Sequence, residues 1–206
     1  MGSPLFARFF DRFAGKDEER GQAMLRQELL ASLTGRVIEV GPGNGLNFPH
    51  YPATVHKVIA VEPEPYLRSR AAAAAGRAPV DIRVVAGTAA RIPVAGASFD
   101  AAVISGVLCS VPDQAAALAE LARVLRPGGE LRFYEHVRDP GGFGRLQDLA
   151  DLVWPRLMGG CHPNRDTLAA ITRAGYDVQR SRTLSFPPSA VLSPVAPRIL
   201  GVARRP

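Results

Sequence analysis

Four residues that could do chemistry alternate along one short stretch: Glu39, Gly41, Gly43 and Gly45 in G-R-V-I-E-V-G-P-G-N-G-L-N-F-P-H, residues 35–50. The apolar residues in front, Val37, Ile38 and Val40, read as a buried strand of a parallel sheet that breaks into a loop. Glycines at its carboxyl end let the chain turn with positive φ and let a ligand approach bare backbone. In an open α/β sheet that edge is where ligands bind. Glu39 stands among apolar residues, so its carboxylate needs a partner once buried. A second acid, Glu62, closes the next apolar run, residues 55–61, and lies 21 residues beyond Gly41. Nucleotide-binding folds place a carboxylate there on the ribose hydroxyls, because a carboxylate accepts both hydrogens of a vicinal diol. His136 follows a later apolar run at the same edge, and its imidazole suits proton acceptance near neutral pH. The competing reading of His136 is a packing bond to Glu135. His162 and His50 are the second and third candidates for the same role.

The glycine spacing separates two ligand classes. A dinucleotide fingerprint, G-x-G-x-x-G, would need its third glycine at position 46, where Leu46 stands. The elements that position these residues alternate strand and helix: strands at 37–40, 55–61, 81–85, 101–105 and 130–134, and helices at about 65–76, 113–125 and 164–174. A pair of last strands, 176–181 and 199–204, is expected to form an antiparallel hairpin. The proline-rich link 186–197 is expected to be an ordered loop. Residues 4–14 put Leu5, Phe6, Phe9, Phe10 and Phe13 on one helical face. They read as a helix packed on the domain, as a lid over an acceptor pocket, or as a membrane-surface contact. Residues 17–33 continue as a polar helix with Leu25, Leu29, Leu30 and Leu33 inward, ended by Gly35.

Composition narrows the class. The 206 residues fit one domain with a proper core, and 47% apolar with 21% charged residues is an ordinary globular balance. No apolar run reaches the roughly 18 residues of a membrane span, and no leader pattern opens the sequence. The expectation is a cytoplasmic protein with no stable membrane anchor. The net charge is +6, but Lys16 and Lys57 are the only lysines, and the arginines are scattered apart from Arg204-Arg205. Without a basic stripe interleaved with aromatics, nucleic acid is not an expected partner. Cys109 and Cys161 lie far apart; next to His162, Cys161 offers two ligands without a third, so no metal is expected.

With Glu39 before it, E-x-G-x-G-x-G resembles motif I of the class I S-adenosylmethionine-dependent methyltransferases, and Glu62 resembles motif II. The phrase L-A-R-V-L-R-P-G-G-E-L, residues 121–131, strengthens that resemblance. It implies a Rossmann-like, doubly wound α/β fold: a seven-stranded sheet, mostly parallel with an antiparallel last strand. Residues 1–34 would form an N-terminal helical segment and 35–206 the methyltransferase domain, with an acceptor-side insertion at about 138–163. The implied cofactor is S-adenosyl-L-methionine, against Glu39, Gly41, Pro42, Gly43, Asn44, Gly45, Asn47, Glu62, Pro63, Gly87, Thr88, Ala89, Ser105, Gly106 and Val107. Family members carry an acid where Thr88 or Ala89 stands here, so adenine recognition is expected to fall to the backbone of Thr88-Ala89.

V-L-C-S-V at 107–111, E-H-V at 135–137, N-F-P-H-Y-P at 47–52, G-C-H-x-x-R-D-T at 160–167 and P-x-x-P-x-I-x-G-x-A at 194–203 occur together. The combination resembles the methyltransferase-like-seven group, whose mammalian members are membrane-anchored alkyl thiol S-methyltransferases. Those relatives have an N-terminal hydrophobic anchor where this chain has the Phe-rich helix. The resemblance implies methyl transfer to a small, apolar thiol by in-line displacement, with His136 and then His162 as catalytic candidates. Phe9, His50, Tyr51, Cys109 and Trp154 would line the acceptor pocket, Cys109 as wall rather than nucleophile, since in-line transfer needs no covalent enzyme intermediate. Transfer to nitrogen or oxygen of a lipid-like or secondary-metabolite acceptor, and a non-catalytic cofactor-binding subunit, are the alternatives.

Overall fold

The computed structural model of the chain describes residues 4–188 and 192–206. Seven strands form one sheet: β1 (Gly35–Val40), β2 (Val55–Val61), β3 (Ile82–Val85), β4 (Phe99–Ser105), β5 (Leu125–His136), β6 (Asp177–Ser185) and β7 (Pro197–Arg204), in the order β3-β2-β1-β4-β5-β7-β6. All neighbouring pairs from β3 to β5 are parallel, and β7 runs antiparallel to both β5 and β6. The expected doubly wound sheet with an antiparallel last strand is the one observed.

Both faces of the central strands are buried, which is why they read as continuous apolar runs. Ile38, Val40, Ile59, Val61, Ala102 and Ile104 pack on one face against helices α4 (Gln114–Val124) and α7 (Thr167–Arg173). Val37, Val58, Ala60, Ala101 and Val103 pack on the other against α2 (Ala23–Leu30) and α3 (Pro65–Ala75). The helix starts obey local chemistry. Glu64, Asp113 and Asp166 each accept an N–H of the first turn of α3, α4 and α7, satisfying a donor that the helix itself leaves unpaired.

The polar helix expected over 17–33 is corrected. Helix α1 (Pro4–Asp17) is followed by a π-helical turn, Glu18–Gln22, kinked where Gly21 adopts φ 107°, and α2 stops at Leu30. Gly35 does not cap that helix but opens β1, where a side chain would collide with the Asp100 carboxylate. Leu29, Leu30 and Leu33 are buried as expected. Of the proline-rich link, residues 189–191 lie outside the described residues. Among the described residues no helix is long and apolar enough to cross a membrane.

Helix α1 lies over the glycine loop. Asp11 accepts from the Asn44 amide (3.0 Å) and the Tyr66 hydroxyl (2.8 Å) and pairs with Arg70 (3.0 Å), while the Phe10 ring stands 3.0 Å from where a Cβ on Gly43 would sit. At the helix's other end, Phe6 packs on Gly159 of the insertion. The insertion itself folds as α5 (Phe143–Ala150) and α6 (Trp154–Leu157).

Candidate active site

The glycine loop is built by backbone pairing and by the two acids read from the sequence. Gly41 N–H donates to the carbonyl of Val61 at 2.9 Å, tying the loop to the end of β2. Glu62, the next residue, accepts from the N–H of Gly43 and of Glu64, both at 3.0 Å. It is 4% exposed, and burial pushes its carboxyl above the usual range while the two N–H groups pull it back. Gly45 adopts φ 88°, and a Cβ there would sit 2.8 Å from the Ala74 methyl and 2.9 Å from the Phe48 ring. A Gly45→Ala variant combines a left-handed conformation costing about 1–2 kcal/mol with overpacking of about 1–3 kcal/mol. We expect it to lower stability by about 2–4 kcal/mol, read as a lower urea midpoint with an unchanged m-value.

Glu39 finds the partners its burial demands in the residues that follow the glycine loop. Its oxygens accept from the Asn47 amide at 2.8 Å and the Tyr51 hydroxyl at 2.7 Å, and Asn47 in turn accepts from Arg26 at 2.7 Å, itself paired with Glu18. Burial raises the Glu39 carboxyl, and these donors oppose the rise. Glu39 and Asn47 therefore brace the glycine loop through a buried chain of hydrogen bonds. Tyr51, buried with its hydroxyl bound to Glu39, packs in the core. His50 sits half-buried beside it, its pKa lowered by burial.

After β3, the Thr88 N–H and carbonyl pair with Arg91, and Ala89 turns its methyl into the core. Gly87 packs against Val61 and Pro93, and Pro63 is exposed with its carbonyl held by Arg68.

The loop after β4 is the third wall. Gly106 opens onto free space, and Val107 leans over Gly41, its Cγ2 standing 2.6 Å from a Cβ position there. Glu135, at the end of β5, fixes this loop by accepting from Val107 N–H at 2.8 Å and Cys109 N–H at 3.1 Å. Burial pushes the Glu135 carboxyl up to about 7 against those bonds. Arg165 clamps the same loop by donating to the carbonyls of Leu108 (2.7 Å) and Val111 (2.6 Å), and His162 N–H donates to the Cys109 carbonyl at 2.8 Å.

The two catalytic candidates end in different surroundings. His136 Nδ1 lies 3.3 Å from Cys109 Sγ and 3.4 Å from Cys161 Sγ, so it is one member of a three-residue cluster rather than an isolated base or a packing partner of Glu135. The proximity of Cys109 lowers the Cys161 pKa against the effect of burial, and the proximity of Cys161 together with burial raises that of Cys109. His162 Nδ1 is held by both oxygens of Asp151 at 3.0 Å, inside the insertion. Neither Glu135 nor Arg165 was singled out from sequence, although each stands within a motif, E-H-V or G-C-H-x-x-R-D-T.

Two buried polar atoms lack a partner among the described residues: Asn44 Oδ1 in the glycine loop and Trp154 Nε1 in α6. The first is an acceptor beside bare glycine backbone, with the Glu62 carboxylate close by. That donor-hungry set fits a cofactor carrying an ammonium group and a ribose diol. Phe9 is half exposed and, with Leu5, Phe6, Arg156, Leu157 and Met158, borders a mainly apolar cleft of about 310 Å³ between α1 and α6.

A family model described as a methyltransferase domain matches residues 38–133. The thiol S-methyltransferase TMT1B of Rattus norvegicus is 35% identical over 173 residues, covering 81% of this chain and 69% of its own. The chain belongs to the TMT1 thiol S-methyltransferase family. It is an S-adenosylmethionine-dependent methyltransferase. Solved structures agree on the fold. A protein of Bacillus halodurans assigned as a methyltransferase superposes with a TM-score of 0.71 at 18% identity, covering 92% of this chain and 99% of its own. The N-methyltransferase NodS of Bradyrhizobium japonicum, in complex with S-adenosyl-L-homocysteine, gives 0.67 at 18% identity over 92% and 86%. In this family, when bound, S-adenosylmethionine supplies a methyl group on a sulfonium, already bearing its leaving group.

Proposed function

We propose that the enzyme methylates the sulfur of a small, largely apolar thiol. The observation that carries this reading is the extent of the kinship with TMT1B. At 81% of the chain it runs well beyond the cofactor-binding stretch 38–133 and so includes acceptor-side residues. The mainly apolar cleft between α1 and α6 supports it, since Leu5, Phe6, Phe9 and Met158 offer surface to an alkyl chain, with Arg156 the one charged residue of its lining. Helix α1 acts as the lid in this reading, joining the glycine loop through Asp11 to the insertion through Phe6. Holding acceptor and methyl donor in line is the main contribution asked of the protein, and alignment of this kind supplies several orders of magnitude. The thiol must also reach its thiolate form, starting from a pKa of about 8.5.

Mass-spectrometric methyl transfer to a matched set, an alkanethiol and its amine and alcohol analogues, tests the proposal. Transfer to the thiol at least tenfold faster than to either analogue is the expected result. Transfer to the amine or alcohol in preference would replace sulfur by nitrogen or oxygen as the acceptor atom.

A further inference from the structure

Three soft or imidazole ligands that are remote in sequence converge at the carboxyl edge of the sheet. Cys109 comes from the loop after β4, His136 from the last position of β5, and Cys161 from the insertion; one ligand atom from each lies within 4.8 Å of the others. Four-coordinate zinc, with bonds of about 2.3 Å to sulfur and about 2.0–2.1 Å to nitrogen, sets its sulfur and nitrogen ligands about 3.6 Å apart. The observed separations from His136 Nδ1 are 3.3 Å and 3.4 Å. Both sulfurs are already at ligating spacing from the imidazole.

Its members are also held in place from behind, as metal ligands are. The N–H of Cys109 is bound by Glu135 and its carbonyl by the N–H of His162. The chain reaches Cys161 through two successive left-handed glycines, Gly159 (φ 63°) and Gly160 (φ 88°), and a Cβ on Gly160 would stand 3.0 Å from the Ser110 carbonyl. This turn delivers Cys161 against the Cys109 loop at a backbone conformation that other residues rarely adopt. Both sulfurs are buried, at 0% and 6% exposure.

We propose that Cys109, His136 and Cys161 bind a thiophilic divalent cation of the zinc class, whose fourth position takes the sulfur of the acceptor. Three protein ligands with one open position is the arrangement of catalytic rather than structural zinc. The last clause of the proposal rests on the thiol reading above; the metal site does not. The thiol gives its proton to solvent on binding the cation. Its sulfur lone pair then forms the new S–CH3 bond while the methyl–sulfonium bond breaks, and that bonding pair stays on the departing sulfur, which leaves as a neutral thioether. The methylated product is itself a neutral thioether, a weaker ligand than a thiolate, and vacates the position.

The test uses cobalt(II) as a spectroscopic stand-in on the full chain, reduced and stripped with a chelator. One equivalent of cobalt is expected to give sulfur-to-cobalt charge-transfer absorption, abolished by excess zinc and reduced at least tenfold in Cys161→Ser, while cofactor affinity measured by calorimetry stays within about twofold. Adding an alkanethiol is expected to raise the charge-transfer intensity by about half, as a third thiolate joins two. Absence of the band in protein that still binds cofactor, or its survival in Cys161→Ser, overturns the metal site. A band that no thiol perturbs, with no thiol methylated, overturns the thiol reading and the open position while the site stands. Full thiol methylation by the stripped protein overturns the cation's part in the reaction and leaves the thiol reading intact.

Discussion

Glu62→Ala is expected to weaken S-adenosylmethionine binding by about 100-fold or more. A hydrogen bond to a charged group contributes about 1.5–3 kcal/mol, and each 1.4 kcal/mol is tenfold in affinity. Two ribose hydroxyls, were both held by the Glu62 carboxylate, would account for about two to four orders of magnitude. The same substitution strips the N–H groups of Gly43 and Glu64 of their acceptor, so the glycine loop loosens as the diol contact is lost. Glu62→Gln keeps the volume and one acceptor oxygen but turns its amide donor toward one of those two N–H groups, and it is expected to fall between. The pH dependence follows from the raised pKa of the buried carboxyl. The ionised form accepts both hydroxyls and predominates above that pKa. Cofactor affinity is thus expected to decline as pH drops through it in wild type, and to stay flat in Glu62→Gln. Isothermal titration at two pH values reads both effects, and a loss under about fivefold in Glu62→Ala would remove Glu62 from the ribose.

The second large effect is on stability. Gln147, in α5, is fully buried, and its side chain is a main tie between the insertion and the body of the domain. Its amide donates to the carbonyls of Val137 (2.9 Å), Pro163 (2.9 Å) and Pro194 (2.8 Å), and its oxygen accepts from Asp139 N–H at 2.7 Å. Gln147→Leu preserves approximate volume and leaves these four backbone groups without their partner. Each unmet buried group costs about 1–3 kcal/mol, so a loss on the order of 4 kcal/mol is expected. Against a typical domain stability of about 5–15 kcal/mol that is a large fraction. It should appear as a lower denaturation midpoint, and as protease cleavage within 138–163 before the rest of the chain unfolds. A loss below about 1 kcal/mol would mean that the insertion is held by something other than Gln147.

The sequence by itself determined the strands and the glycine loop, because these are written in local signals, while the topology of the sheet followed from the family resemblance. Parallel strands buried on both faces must be continuous apolar runs, and the turns feeding a bound ligand must be glycine. Glu39 was legible as a buried acid needing a partner, since its neighbours in β1 are all apolar. What that partner was, only the tertiary structure decided: Asn47 and Tyr51 return from a turn eight and twelve residues on, which makes them braces of the glycine loop. The polar helix over 17–33 misread Gly21 and Gly35, because a glycine's letter does not reveal whether its φ breaks a helix or begins a strand.

The acceptor side was the least legible part. Residues adjacent in sequence, Cys161 and His162, suggested a weak metal pair, yet folding sends them to different partners. His162 turns to Asp151, while Cys161 meets Cys109 and His136. Gln147 and Arg165 carry no motif that announces four buried bonds or a loop clamp. The physical reason is common to all of these. Strand and loop identity depends on neighbours one or two residues away, whereas a cluster drawn from positions 109, 136 and 161 exists only after the β4–α4–β5 crossover and the fold of the insertion have set its members on one edge of the sheet.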